Sequence, residues 1–396
     1  MTRVMRDGNG AASEGLRLAR VKVISAYPIT PQSPISEKLA DFVAQGKLDA
    51  KYIRVESEHS AMSCAIGAQL TGVRAGTATA SVGLALMHEV LGVAAGCRVP
   101  IVMPVVNRSL VSPWSLWCDH QDSMAERDGG WMQLYAENAQ EVLDFILIAF
   151  RVAENKKVLL PAMVCLDGFF LSHMSDAIDL PDQETVDAFL PPYTNTNLRL
   201  DPANPMFIND LTPTAEFTEM RFQQAEGFKQ AEALLPEVFA EFKKAFGREY
   251  SMIEAYRCED AEVAIVTLGS MSGTAKYTID RLRAQGKKVG MVKIVSFRPF
   301  PSELLKKALA NVTRVGVVDR CAGLGAQVGP VATEVRAALS GKPVKGFIAG
   351  LAGRDISVGI FEKAFAQLFD AKTTDDLEWL DVRDEALTLR EVNSGC

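Results

Sequence analysis

The stretch VKVISAYPITPQSPISEKLADFVAQGKLDAKYIRVESEHSAMS, residues 21–63, holds two β-forming runs separated by one helical pattern. Val21 to Ala26 is short and β-rich, and the turn Tyr27-Pro28-Ile29-Thr30-Pro31 ends it. Each proline restricts its own φ and the residue before it, so Thr30 is held in a stiff turn at the strand's end. Ser33 to Gln45 follows, with Ile35, Leu39 and Phe42 on one helical face. Tyr52 to Val55 is the next strand, and Glu56-Ser57-Glu58-His59-Ser60 comes directly after it. Strand, polar turn, helix, strand is the repeating unit of a parallel α/β sheet.

The same rhythm extends in both directions. Upstream, residues 8–20 carry an Ala/Leu pattern of helical period, with Asn9 placed to cap its start. Downstream, His59 to Gly72 is a helix of small apolar residues, and Ala75 to Ala80 is a strand. Ser81-Val82-Gly83-Leu84 resembles a strand-to-helix turn, Leu84 to Gly96 a buried helix, and Pro100 to Val106 a central strand ended by Asn107-Arg108. In an open α/β sheet, ligands collect outside the carboxyl ends of the strands. Three polar islands at three strand ends therefore describe one site. Residues 107–131 are polar, aromatic and charged, a length of loop that is usually functional, and Trp114, Trp117 and Trp131 argue that it is ordered.

Gln133 to Asn155 returns to a helical pattern, and Lys157 to Leu166 is a buried strand that closes the first α/β domain near residue 170. Residues 175–215 read as a surface excursion, and 216–250 as a charged bridging helix. A second α/β unit begins near Ala261 with AEVAIVTLG, the turn Ser270-Met271-Ser272-Gly273-Thr274 and the helix AKYTIDRLRAQG. VGMVKIVSF, a helix over 302–310 and TRVGVVD complete a βαβαβ order, which implies a parallel sheet with right-handed crossovers. The expected division is 1–250 and 251–396.

Bulk properties narrow the function class. The 396 residues have hydrophobic content 48%, charged content 23% and net charge −7, ordinary for a globular protein of two or three domains. A pI near 5.4 argues against a nucleic-acid partner. Seven scattered cysteines with no C-x-x-C fit reduced thiols, and leave no ligand set for an iron–sulfur cluster of usual spacing. With no apolar signal core and no run of ~18 apolar residues, a cytoplasmic protein with no membrane partner is expected.

Each candidate residue carries two readings. Glu56 and Glu58 are either surface carboxylates at a helix N-terminus, or one of them stands in a site lined by the Ala, Met and Cys that follow. A carboxyl in such apolar company is suited to exchanging a proton with a ring nitrogen. Arg108 either pairs with a carboxylate such as Asp119 or Asp122, or clamps a substrate carboxylate with parallel hydrogen bonds. Thr30 either stabilises its turn or adds a hydroxyl to the same anion. His59 and His120 lie at no ligand spacing with another His or Cys, so no metal site is expected in this chain. Ser270 to Gly273 could cradle an anion at a helix N-terminus, but matches neither the Walker nor the dinucleotide fingerprint.

Taken together, these segments resemble the α subunit of a 2-oxoacid:ferredoxin oxidoreductase of the pyruvate synthase type. The resemblance rests on SAYPITPQSPISEKLADF (25–42), IRVESEHSAMS (53–63), TATASVGLALMHEV (77–90), VNRSLVSPWSLWCDHQDSMAERDGGWMQLYAE (106–137), LLPAMVCLDGFFLSH (159–173), VKIVSFRPFP (292–301) and FIAGLAGRD (347–355). It implies a thiamine-diphosphate-binding α/β domain like the pyrimidine domain of transketolase, then a transketolase C-terminal-like α/β domain. It further implies a cofactor shared with a β subunit that holds the diphosphate and Mg²⁺. The motif glutamate falls on Glu58, which would hydrogen-bond the pyrimidine and favour the imino tautomer that deprotonates the reactive carbon. Tyr27, Pro28, Ser81 and Gly83 fall among the cofactor contacts, and the substrate-carboxylate ligands fall on Thr30 and Arg108. A γ subunit and a ferredoxin-like subunit carrying [4Fe-4S] clusters would take the electrons, and coenzyme A the acyl group.

Two departures stand out: Val82 where the family often has Gln, and Ala352 where it often has Gly. Thr30 in place of Arg argues against oxalate as substrate. It leaves pyruvate and bulkier acids such as phenylglyoxylate open. A transketolase-like half without redox chemistry and a non-catalytic assembly subunit are the rival readings.

Overall fold

The computed structural model describes residues 1–383 apart from 196, 371 and 373. In chain order it forms β1 (Thr2–Arg6), α1 (Gly8–Leu18), β2 (Val23–Ala26), α2 (Ser33–Ala44), β3 (Lys51–Arg54), α3 (Glu58–Leu70), β4 (Ala75–Gly76), α4 (Ser81–Gly96) and β5 (Val102–Asn107). Then come α5 (Gln121–Ala125), β6 (Met132–Tyr135), α6 (Ala139–Ala153), β7 (Ala162–Asp167), β8 (Asp176–Leu180), α7 (Gln183–Phe189) and α8 (Thr214–Phe246). The remainder is β9 (Ile253–Tyr256), β10 (Val263–Leu268), α9 (Met271–Ala284), β11 (Val289–Ile294), β12 (Ser296–Arg298), α10 (Ser302–Ala308), β13 (Arg314–Asp319), α11 (Pro330–Ala338), β14 (Val344–Ile348), α12 (Val358–Phe369) and β15 (Glu378–Trp379).

Two compact units result. The first comprises Met1–Glu254 with Leu268–Ser270 and Ile294–Leu304. Its strands run β3-β2-β4 in one sheet and β12-β6-β7-β5 in another, and a parallel bridge joins Thr79 to Val105. β2 pairs in parallel with β3 and β4, and β7 with β5 and β6, so the carboxyl ends of the central strands point one way. β12 adds antiparallel to β6. The core centres on α6, where every residue except Gln140 and Arg151 is buried. Gly15 of α1 packs so closely on it that a Cβ there would sit 3.1 Å from three atoms of Ile146. Truncating a core residue such as Ile146 to Ala costs about 2–5 kcal/mol. Within α6, buried Asp144 receives Arg248 Nε and Nη2 at 2.5 and 2.8 Å and the Tyr250 hydroxyl at 2.7 Å.

The second unit comprises Ala255–Thr267, Met271–Lys293 and the described residues from Leu305 onward. Its sheet runs β15-β14-β13-β10-β11-β9, with β10, β13, β14 and β15 paired in parallel. Val263, Ile265, Met291 and Phe347 pack with Ile279, Phe361 and Phe365 from the helices in a continuous core.

Several local expectations change. Asp7, not Asn9, caps α1: its carboxylate accepts the Gly10 N–H at 2.6 Å. Asn9 instead donates its side-chain N–H to Pro31 O at 3.0 Å. The helical pattern from Gln133 divides into β6 and α6, because Asn138 accepts the Glu141 N–H at 2.9 Å and Glu141 accepts the Glu137 N–H at 2.7 Å. Asn138 is thus the side-chain cap, and with Glu141 reaching back to the residue before it, it fixes the helix start at Ala139. Ala75–Ala80 keeps strand pairing only over Ala75–Gly76 and at Thr79. The excursion 175–215 contains β8, which pairs antiparallel with the unanticipated β1, and α7.

Candidate active site

Glu56 and Glu58 part company at the start of α3. Ser57 caps the helix by accepting the Ser60 N–H at 3.2 Å. Glu56 stays exposed and accepts the Ser60 hydroxyl at 2.7 Å. Glu58, the first residue of α3, turns inward and is only 6% exposed. Its carboxyl lies against α4 at Gly83, where a Cβ would come within 2.6 Å of both Glu58 Oε1 and Thr79 Oγ1. No other residue type leaves room for the carboxyl there. The Thr79 hydroxyl beside it is buried and has no hydrogen-bond partner.

Arg108 follows β5 and is 4% exposed. Its Nη1 donates to Thr30 O at 2.8 Å and its Nε to Ser115 O at 3.2 Å. The bond to Thr30 ties the strand end to the Tyr27–Pro31 turn, which Asn9 holds from the other side. A guanidinium has five N–H donors, so three remain beyond those two bonds. Burial lowers the Arg108 pKa, and the charge of Asp122 opposes that shift. The residues singled out on the turn differ in setting: Tyr27 is half-buried, while Pro28 and Thr30 are exposed. Among the described residues, no hydrogen bond joins Tyr27 or Pro28 to Glu58, Ser81 or Gly83.

The residue that sequence reading did not single out for the site is Asp122, on α5. Its Oδ2 accepts the backbone N–H of Ser81 at 2.8 Å and of Arg108 at 3.0 Å. Its Oδ1 accepts Asn107 Nδ2 and its neighbour Ser123 N–H, both at 2.8 Å. Burial pushes its carboxyl up to about 6 against the pull of those donors. Arg108 thus meets Asp122 through its backbone, not through a side-chain ion pair. Ser81, at φ +51°, opens α4 and donates its hydroxyl to Ser109 O at 2.5 Å. A left-handed serine costs about 1–2 kcal/mol, and these bonds hold it there.

The aromatic loop behaves otherwise than expected. Trp131 is fully buried and donates to Leu91 O at 2.9 Å. Trp117 lies 4.4 Å from Phe169 yet is half exposed, and Trp114 is 77% exposed. Cys118 and His120, only two residues apart and so closer to ligand spacing than expected, come together with Asp167, ligand atoms within 4.8 Å and all three buried. His120 Nε2 and Asp167 Oδ1 share a hydrogen bond at 2.7 Å. Two ligands of one zinc ion stand roughly 3.3 Å apart or more, so the His120–Asp167 contact has the geometry of a hydrogen bond. Ser270 N–H and hydroxyl both donate to Asp167 Oδ2, which uses that turn for the protein's own carboxylate.

One parallel α/β unit therefore holds a buried carboxyl over a bare glycine and an arginine at the neighbouring strand end. Comparison with known proteins gives the class to which that unit belongs. Residues 14–240 match the thiamine-diphosphate-binding model of pyruvate flavodoxin/ferredoxin oxidoreductases, and 261–360 match core domain II of pyruvate:ferredoxin oxidoreductase. Pyruvate synthase subunit PorA of Methanothermobacter thermautotrophicus is 47% identical over 380 residues, 96% of this chain and 98% of that one. Ketoisovalerate oxidoreductase subunit VorA of Pyrococcus abyssi is 45% identical over 382 residues, 94% and 96% of the two chains. The solved 2-oxoglutarate:ferredoxin oxidoreductase from Magnetococcus marinus shares the fold, with TM-score 0.76 at 20% identity, covering 93% of this chain and 65% of that longer one. An inactive split-gene transketolase follows at TM-score 0.50 and 13% identity, covering 89% and 92%. The chain belongs to the pyruvate flavodoxin/ferredoxin oxidoreductase family, and is an oxidoreductase chain of that family.

Proposed function

We propose that this chain is the α subunit of a heteromeric, thiamine-diphosphate-dependent 2-oxoacid:ferredoxin oxidoreductase that converts a 2-oxo acid, pyruvate favoured, to acyl-coenzyme A and CO₂. The bond between the carboxylate and the oxo carbon breaks, the coenzyme A sulfur takes the acyl group as its thiol proton is released, and two electrons leave singly for iron–sulfur clusters. Those clusters belong to partner subunits, since this chain's seven cysteines include no C-x-x-C. A β subunit with the diphosphate and Mg²⁺, a γ subunit and a ferredoxin-like subunit complete the assembly. Residues 1–250 act as the pyrimidine-binding domain with its excursion and linker helix, and 251–396 as the transketolase C-terminal-like domain.

The observation that carries this reading is the Glu58 carboxyl seated over Gly83. An aminopyrimidine fits such a place: a buried carboxyl to meet a ring nitrogen, a wall without a Cβ, and the unpartnered Thr79 hydroxyl beside them. Thiamine diphosphate, when bound, supplies the carbon nucleophile and the electron sink. Glu58 holds or moves the proton at the ring nitrogen it meets. Gly83 and Ser81 shape the wall on which the ring rests, and Tyr27 and Pro28 form its rim. Arg108 binds the substrate carboxylate through its remaining donors, with Thr30 beside it.

Glu58→Gln is expected to lower kcat about a hundredfold or more with KM little changed. Arg108→Ala is expected to raise KM for the 2-oxo acid roughly tenfold or more. Full turnover in the reconstituted complex with Glu58→Gln would instead favour a non-catalytic assembly subunit. An unchanged KM with Arg108→Ala would remove the anion clamp.

A further inference from the structure

We propose that Asp122 is a positioning residue that registers the Arg108 anion clamp against the Ser81–Gly83 helix start beneath Glu58. The proposal rests on the reading of the site given above.

The geometry is that of one carboxylate serving two elements. A single oxygen, Asp122 Oδ2, accepts the first N–H of α4 from Ser81 and the N–H of Arg108 at the end of β5. The other oxygen accepts Asn107 Nδ2, and Asn107 is the residue before Arg108. Asn107 Nδ2 also donates to Ser123 Oγ at 2.7 Å, and Ser123 Oγ lies 2.8 Å from the Tyr135 hydroxyl. The strand end and the helix start are thus both referred to one buried group, only 1% exposed.

Two features mark this as more than the filling of a polar gap. Ser81 occupies a left-handed backbone position at φ +51°, which needs to be held, and Ala80 before it offers no side-chain cap. The carboxylate takes the place of that cap, and the positive end of the α4 dipole favours a negative charge there. Two residues beyond Ser81 stands Gly83, where tenths of an ångström decide whether Glu58 has room. Likewise, two of the Arg108 guanidinium donors are committed to backbone carbonyls, so the direction of the remaining donors follows the backbone that Asp122 fixes. Removing the carboxylate would leave the Ser81 and Arg108 N–H groups buried and unpaired, and each would relax in its own direction. Such a residue touches neither cofactor nor substrate, yet it sets the register between their two sites.

The test uses the native complex purified through this chain, with two measurements on each variant. One is KM for the 2-oxo acid. The other is the dissociation constant of thiamine diphosphate, from calorimetric titration of the cofactor-depleted complex. Asp122→Ser keeps a polar group for folding while its short hydroxyl cannot span both N–H donors, and Asp122→Ala removes the acceptor entirely. Both variants are expected to raise KM and the cofactor dissociation constant together, each about tenfold. Arg108→Ala alone is expected to raise KM and leave cofactor affinity within about twofold. Because Asp122 acts on substrate through Arg108, adding Asp122→Ser to Arg108→Ala is expected to move cofactor affinity but to add little to KM.

If Asp122→Ser or Asp122→Ala leaves both quantities within about twofold while Arg108→Ala raises KM, the positioning role is wrong and the site reading stands. Fully additive KM effects in the double variant would also overturn it. If Arg108→Ala itself leaves KM unchanged, the clamp is lost and the reading of the site goes with it.

Discussion

In the proposed site, Gly83 is the residue that leaves the Glu58 carboxyl its room. An added Cβ would meet Glu58 Oε1 and Thr79 Oγ1 at 2.6 Å and Glu58 Cγ at 2.9 Å. The Glu58 side chain is flexible and would swing aside, whereas Thr79, β-branched and stiff at χ1, has little freedom to yield. Gly83→Ala is therefore expected to cut kcat about a hundredfold, the usual cost of roughly 1 Å of misplacement. Its melting temperature should change little, because Ala in a helix offsets part of the crowding. Steady-state kinetics beside calorimetry checks this, and unchanged kcat would mean the carboxyl has no fixed task. At this scale the sequence was informative about types and poor about partners. Glu58 and Arg108 stood out as candidates because each follows a strand. Composition and spacing left Glu56 and Glu58 alike, the resemblance put the motif glutamate on Glu58, and the Ser57 cap leaves Glu58 as the one that turns inward. Asp122 was hidden, since its partners are backbone groups of Ser81 and Arg108, 41 and 14 residues away, which no residue code records.

Elements show where local pattern decided and where tertiary contact did. The helix α2 follows its apolar spacing, and α3 its run of small apolar residues, to within a residue or two. β6 was concealed because Met132, Gln133, Leu134 and Tyr135 are buried on both faces, which removes the alternation that marks a strand. The signal that could have found it is Asn138, a good N-cap residue with a glutamate three positions on. In the second unit, the short turn Leu351–Gly353 places Ala352 at φ +49° and ψ +45°, a left-handed position. The departure from glycine noted there in the sequence has a structural consequence. Ala352→Gly is expected to raise stability by about 1 kcal/mol in denaturant unfolding, and a loss of stability would contradict the assigned backbone. Asp319 gives a pH test. At the end of β13 its oxygens accept the Val331 and Ala332 N–H groups at 2.9 and 3.0 Å. Burial pushes its carboxyl up to about 7 from an ordinary 3.8. A raised folded-state pKa makes a contribution to stability that is fully present below about pH 3.8 and is lost as pH rises through about 7. Calorimetry from pH 4 to 8 should show that decline, and Asp319→Asn should flatten its share of it.

At the scale of the molecule, two α/β units follow one another along the chain, but not as two uninterrupted halves. Leu268–Ser270 and Ile294–Leu304 belong with the first unit, and β12 completes its sheet beside β6. The sequence showed VGMVKIVSF as one run, because nothing local records that Ser296–Arg298 pairs with residues 133–134. The parallel α/β class was legible from strand–turn–helix rhythm alone. No described helix is long and apolar enough to cross a membrane. The central claim is that this chain provides half of a thiamine-diphosphate site for a 2-oxo acid oxidoreductase. The most direct measurement is anaerobic turnover of the native complex, purified through a tag on this chain. Pyruvate, 2-oxoisovalerate, 2-oxoglutarate and phenylglyoxylate would be supplied in turn with coenzyme A and a viologen dye as electron acceptor. Dye reduction that needs both coenzyme A and a 2-oxo acid, highest with pyruvate, is the result expected. No reduction with any of the four, in a complex that holds thiamine diphosphate and its clusters, would contradict the account.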